Sequence, residues 1–163
     1  MPEDGLLSNS IYRIHFKNRE RTVEPKTKDL IIIQIEKSNE KLKAAQVLLR
    51  EGFVDDAISR AYYSMFHAAS AVLFAEGITV ESHSALKTMF GLHFVKTGKI
   101  DKKYGRSLNR LKDERENGDY DIFTSFDFKD AGDDIKEAER FLEEMKKYLF
   151  QQHGIRFPQK TKN

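Results

Sequence analysis

The sequence predicts an all-α protein, an up-down bundle of about five helices. Three observations carry this expectation. Residues 55–76 hold no Gly or Pro, are rich in Ala, and repeat their apolar positions at helical rather than alternating spacing. Gly52, Gly77, Gly98 and Gly118 punctuate the chain at helix-sized intervals. Ala131, Ile135, Ala138, Leu142, Met145 and Leu149 recur at spacings of 4, 3, 4, 3, 4, with acidic and basic residues outside this narrow seam.

In chain order, residues 1–28 form an N-terminal arm. Tyr12, Ile14 and Phe16 alternate with Ile11, Arg13 and His15, the pattern of a short edge strand. The charged stretch 17–28, with Pro25, reads as a linker. The helical domain then occupies residues 29–150. Its first helix runs over about 29–50, with Asp29 as N-cap and Ile35, Ser38, Leu42, Ala45 and Leu49 on one face. The short connection at Gly52 implies an antiparallel second helix.

That second helix, over 55–76, organises the rest. Advancing about 100° per residue gives it three faces. Ile58, Tyr62, Met65, Phe66, Ala69, Val72 and Leu73 make a wide apolar face; Ala57, Ala61, Ser64, Ala68, Ala71 and Ala75 make a small-residue stripe; Asp56, Arg60, Tyr63 and His67 share the remaining sector. So few charges in the middle of a helix mark it as the central, most buried one. The small stripe permits close approach of another helix, and together with the apolar face it points to a dimer.

Ser82 caps a third helix carrying Leu86, Met89, Phe90, His93 and Phe94, with Gly91 inside it and Gly98 at its end. A fourth covers about 101–115. It is the most basic segment, with Lys102, Lys103, Arg106, Arg110 and Lys112, and Gly118 is expected to break it. The stretch 119–126 reads as a loop too aromatic to float free in water. The fifth helix starts at Asp127 or Asp130 and reaches about 150, leaving 151–163 as a polar, basic tail.

Hydrophobic residues at 39% and charged residues at 33% suit one soluble helical domain with a modest core. The absence of cysteine excludes disulfides, thiolate metal sites and cysteine nucleophiles, and fits a cytoplasmic protein. No stretch reaches the roughly 18 apolar residues of a membrane span, and a secretion-signal pattern is absent. A net charge of +2 does not by itself argue for nucleic-acid binding, so a basic patch has to be local. No histidine has a second one at i+3 or i+4, which argues against a metal site, and no cofactor motif occurs.

Three runs carry chemistry together: Ser59-Arg60-Ala61-Tyr62-Tyr63-Ser64-Met65-Phe66-His67-Ala68-Ala69, then Glu81-Ser82-His83-Ser84, then Arg115-Glu116-Asn117-Gly118-Asp119-Tyr120. In this order and spacing they resemble the HEPN domain family of bacteria and archaea, over roughly residues 36–150. The resemblance implies a helical bundle that usually dimerises and a minimal nucleotidyltransferase as common partner in toxin–antitoxin pairs. It also implies, for many members, a metal-independent ribonuclease whose motif is Arg, four to six residues, then His. Here the motif position begins at Arg115, but Tyr120 stands where the histidine is expected.

Metal-free RNA cleavage needs a group that moves a proton near neutral pH, as histidine does. Tyrosine, with an unperturbed pKa of about 10, is a poor base there. Arginine holds phosphate through its planar fork but is no base. Arg115 with Tyr120 therefore makes a better phosphate-binding pair than a catalytic one, and His67 is the candidate for the missing acid–base group. Arg60, Tyr63 and His83 are candidate nucleotide- or RNA-binding residues, His83 at an amide-rich helix start. Each also has a structural reading: Arg60 paired with Asp56, His67 bonded to a neighbour, His83 an exposed capping-turn residue. Three functional readings follow: a module binding nucleotide or RNA phosphate, a nucleotidyltransferase, or both; a dimeric toxin endoribonuclease using Arg115 and His67; and a non-catalytic helical scaffold.

Overall fold

The computed structural model describes residues 24–123 and 125–158. It is all-α, with helices α1 (Pro25–Arg50), α2 (Val54–Ala75), α3 (His83–Phe90), α4 (Lys102–Tyr120) and α5 (Phe128–His153). A π-helical turn over Gly91–Val95 follows α3 directly. No helix among the described residues is long and apolar enough to cross a membrane. The alternating segment at 11–16 lies outside the described residues.

Helix α2 is the hub, packing against α1, α3, α4 and α5. Its small residues Ala57, Ala61, Ser64, Ala68 and Ala71 are fully buried. The absence of bulk there lets α1 lie close: the Ser38 hydroxyl donates to the Ser64 carbonyl at 2.7 Å and lies 3.0 Å from the Ser64 hydroxyl. The stripe is therefore covered within one chain, and it lends no support to a dimer interface. The expected faces of α1 and α5 are buried with it, Ile35, Ser38, Leu42, Ala45 and Leu49 on one and Ala131, Ile135, Ala138, Leu142, Met145 and Leu149 on the other. The rings of Phe90, Phe94, Phe141 and Tyr148 close the far end, with centroids 5.3–5.6 Å apart in successive pairs.

Four boundaries differ from the sequence expectation, each for a local reason. Helix α1 starts at Pro25, a turn before Asp29, because proline at the first helical position lacks only an N–H that would be unpaired anyway. Helix α4 does not break at Gly118 but continues to Tyr120. Gly118 there faces Asp55 at the start of α2, 3.7 Å from where a Cβ would sit. The turn after α4 is not buried by its aromatic residues: Ile122 and Phe123 are about nine-tenths exposed, and only Phe126 packs on the core. At the other end, α5 runs to His153 and stops at Gly154, whose φ of 66° suits a residue without a Cβ. Ile155 is then buried and Phe157 packs on the core, so the start of the expected tail belongs to the domain.

The caps at Ser82 and Asp127 follow expectation. Ser82 accepts from the Ala85 amide at 3.0 Å. Asp127 accepts from the Asp130 amide at 2.8 Å while Asp130 reaches back to the Asp127 amide at 3.2 Å, a reciprocal box.

Candidate functional site

The site is built on the Tyr-Tyr pair of α2. Tyr62 belongs to the buried face and Tyr63, one residue on and about 100° round the helix, is half-buried. A buried phenol needs a partner for its hydroxyl. For Tyr62 that partner comes from α3: its oxygen lies 2.7 Å from His83 Nδ1. Burial holds the Tyr62 phenol well above its ordinary pKa, so it remains protonated. Burial first, then the charges of Arg115 and Lys112, lower the pKa of His83, whose ring is neutral at pH 7. Tyr62 is fully buried and His83 Nδ1 is the partner of its hydroxyl among the described residues, so the phenol donates to Nδ1 and the proton of the neutral ring sits on Nε2.

Arg115 enters from α4. Its guanidinium lies 5.1 Å from the Tyr63 ring centre and 5.9 Å from that of Tyr62. The side chain is 15% exposed, and Asp119 Oδ2 is 3.4 Å from its Nε, which makes no hydrogen bond. Arg60, from the preceding turn of α2, places its guanidinium 5.5 Å from the same Tyr63 ring. The His83 ring stands edge-on to Tyr63 at 5.7 Å and against Phe66 at 4.7 Å. Two guanidinium groups and one neutral imidazole thus converge on a half-exposed tyrosine, with Asp119 against Arg115. Nearby Lys112 is neutralised by Glu116 at 2.7 Å.

Of the residues singled out from sequence, the fold brings together Arg60, Tyr63, His83 and Arg115. Two lie elsewhere. His67 turns to α1, where its Nδ1 is 2.7 Å from Gln34 Oε1, and burial together with Lys37 and Lys41 pushes its pKa down to about 4. The charges that act most on it are those of α1. Tyr120 ends α4 with its ring 77% exposed. Because α4 continues through Gly118, five residues of helix rotate Tyr120 about 140° away from Arg115. A pairing of Arg115 with Tyr120 needed the helix to break. Asp56 makes no ion pair with Arg60 among the described residues, Arg60 lying over Tyr63 instead.

Sequence reasoning placed Tyr62 and Phe66 among the core positions and did not connect Tyr62 to His83. The available signal was the single hydroxyl on an otherwise apolar face. Among the described residues no cluster of three or more His, Asp or Glu is suited to a metal.

The HEPN domain family matches residues 33–159 of the chain. A UPF0332 protein of Thermotoga maritima is 35% identical over 113 residues, covering 69% of this chain and 86% of its own. Two proteins of Methanocaldococcus jannaschii, each named a putative toxin, are 36% and 33% identical, covering 71% and 75% of this chain and 85% and 83% of their own. Matched over most of its length in this way, and folded as five helices with α2 at their centre, the chain belongs to the HEPN domain family.

Proposed function

We propose that this chain is a toxin-type HEPN module whose cluster around Tyr63 binds the phosphate of a nucleotide or of RNA. The observation that carries this is the convergence of Arg115 and His83, from different helices, on the Tyr62–Tyr63 shelf. Arg115 supplies a planar cation suited to phosphate, with Nε not yet hydrogen-bonded. His83 supplies a neutral Nε2–H at the first position of α3, where the helix amides favour an anion. Tyr63 offers a ring on which a base can stack. The names carried by the Methanocaldococcus jannaschii relatives support the toxin-type reading. Titration of an oligoribonucleotide and of ATP into the wild type and Arg115→Ala tests it, with circular dichroism as the folding control. Equal affinity in both proteins sinks the site.

A second reading is supported by the neighbourhood of Arg115 and His83. In a metal-independent ribonuclease, His83 would take the proton-transfer role that sequence alone gave to His67, and Arg115 would hold the scissile phosphate. RNA cleavage without added metal, abolished in His83→Gln and retained in His67→Gln, is its signature. No cleavage by the wild type leaves the binding reading.

The resemblance also carries a homodimer and a minimal nucleotidyltransferase partner into this proposal. The exposed Tyr120, Ile122 and Phe123 at the end of α4 offer apolar surface for either. Light scattering at micromolar concentration reads the dimer directly, and a monomer mass rules it out.

A further inference from the structure

Between α3 with its π-helical turn and the first half of α4 lies a groove of about 290 Å³, lined by Lys87, Gly91, Lys102, Arg106 and Asn109 over a floor of Phe90, Val95 and Leu108. No acidic side chain lines it. Lys87, Lys102 and Arg106 are exposed, and none makes an ion pair among the described residues. This contrasts with the next part of α4, where Arg110 and Lys112 are both tied to carboxylates. The groove's cations are not neutralised in this way.

Two glycines shape it in different ways. Gly105 lets α4 approach the turn: a Cβ there would stand 2.9 Å from Val95 Cγ2. Gly91 has an ordinary helical backbone, φ −59° and ψ −45°, and a Cβ there would meet nothing within 4 Å. Neither conformation nor packing requires glycine at 91, although glycine inside a helix is about 1 kcal/mol less favourable than alanine. What its missing side chain does is leave the groove open.

The groove lies along the same two helices as the Arg115 cluster. His83 and Lys87 are one turn apart on α3, and from Arg106 to Arg115 helix α4 rises about 14 Å. Between them α4 carries the exposed Asp113, and its Arg110 and Lys112 are tied to carboxylates, so these are two separate cationic points, not one continuous stripe. We propose that this groove is a second phosphate subsite, so that the module binds an extended single-stranded phosphodiester backbone at two points and favours it over a mononucleotide. The proposal rests on the Arg115 reading for its first point and on the groove alone for its second.

The test uses the full chain, the double variant Lys102→Gln/Arg106→Gln, the groove-filling Gly91→Leu, and Arg115→Ala. The ligands are a single-stranded oligoribonucleotide, the matching oligodeoxyribonucleotide and ATP. Removing the two groove charges should weaken oligonucleotide binding on the order of tenfold at low salt and flatten its log–log salt dependence by about 1.4, while leaving ATP affinity unchanged. Gly91→Leu should reproduce the selective loss without removing charge, its folding checked by thermal melting. Loss confined to the ribose oligomer would identify RNA as the ligand, and equal loss in both oligomers would identify the shared backbone. Unchanged oligonucleotide affinity and salt slope in the double variant overturns the subsite. If Arg115→Ala changes nothing while the double variant weakens oligonucleotide binding, the groove stands and the Arg115 reading fails.

Discussion

The Tyr62 hydroxyl meets His83 Nδ1 at 2.7 Å, joining the most buried helix to the start of α3 and deciding which nitrogen of His83 faces outward. Tyr62→Phe removes the donor and leaves the ring in place. The expected outcome is a stability loss of about 0.5–1.5 kcal/mol by denaturant titration, the usual range for one hydrogen bond. Phosphate binding should fall as well, because His83 is then free to present either nitrogen. Unchanged binding would show that the orientation of His83 is irrelevant to the site.

Arg115 should tolerate neither alanine nor lysine. An ammonium cannot reproduce the two-pronged contact with phosphate that a planar guanidinium makes. A charge-assisted contact contributes about 1.5–3 kcal/mol, which is about ten- to a hundredfold in affinity. Binding titrations of Arg115→Ala and Arg115→Lys read this directly. Wild-type affinity in the lysine variant would reduce the role of Arg115 to a point charge.

His67 should prove structural. His67→Gln keeps a polar partner for Gln34 and should leave phosphate binding within about twofold of wild type, since the His67 ring is held by Gln34 of α1 and not by the Arg115 cluster (a change under about 0.4 kcal/mol). Its effect should appear instead in stability against pH. The folded pKa of about 4 is below the unfolded value of about 6.5. Between these the unfolded chain binds more protons, so this residue makes stability rise with pH from 4 to 6.5, with no penalty above that window. Chemical denaturation across the window should lose that rising component in His67→Gln.

A buried carboxylate pulls the other way. Asp134 and Glu114 both bond Arg110, at 2.8 and 2.6 Å, and Arg110 and Ser107 also donate to Glu137. One oxygen of Asp134 and one of Glu114 remain buried with no donor. A proton held on Asp134 satisfies both, and burial followed by the Glu114 bond raises its pKa to about 7. The folded state therefore binds more protons than the unfolded between about pH 4 and 7, and this group makes stability fall as pH rises through that range. Asp134→Asn keeps an acceptor for Arg110 and a donor for Glu114 without a titrating proton. Its gain relative to wild type should be larger at pH 7 than at pH 4, and a constant difference between the two curves would show that Asp134 is ionised in both states.

The helices themselves were legible because burial repeats at the helical period: the faces of α1 and α5 and the stripe of α2 are the residues the sequence pattern selects. The caps at Ser82 and Asp127 were legible because they are local, an oxygen within reach of an amide three residues on. Tyr63 and the three residues that meet around it, Arg60, His83 and Arg115, could be nominated one by one from their chemistry, and the resemblance grouped the runs that hold them. Their meeting was not legible, because it depends on how α3 and α4 pack against α2, and side chains from separate helices converge only in three dimensions.

The same limit explains the two residues that fall outside the cluster. His67 lies on the same sector of α2 as Arg60 and Tyr63, but α1 covers that end of the sector and Gln34 takes its ring. Tyr120 is nominated by its place five residues after Arg115, where the resemblance expects a histidine, and its pairing with Arg115 needs a break at Gly118, where glycine costs a helix about 1 kcal/mol that α4 outweighs once its buried Ser107, Leu108 and Leu111 are packed. By itself the sequence determined which segments are helical and which face of each is apolar, since both follow from short-range periodicity. Only the tertiary structure decided that His83, not His67 or Tyr120, stands with Arg115, since that depends on packing between helices that are distant in the chain.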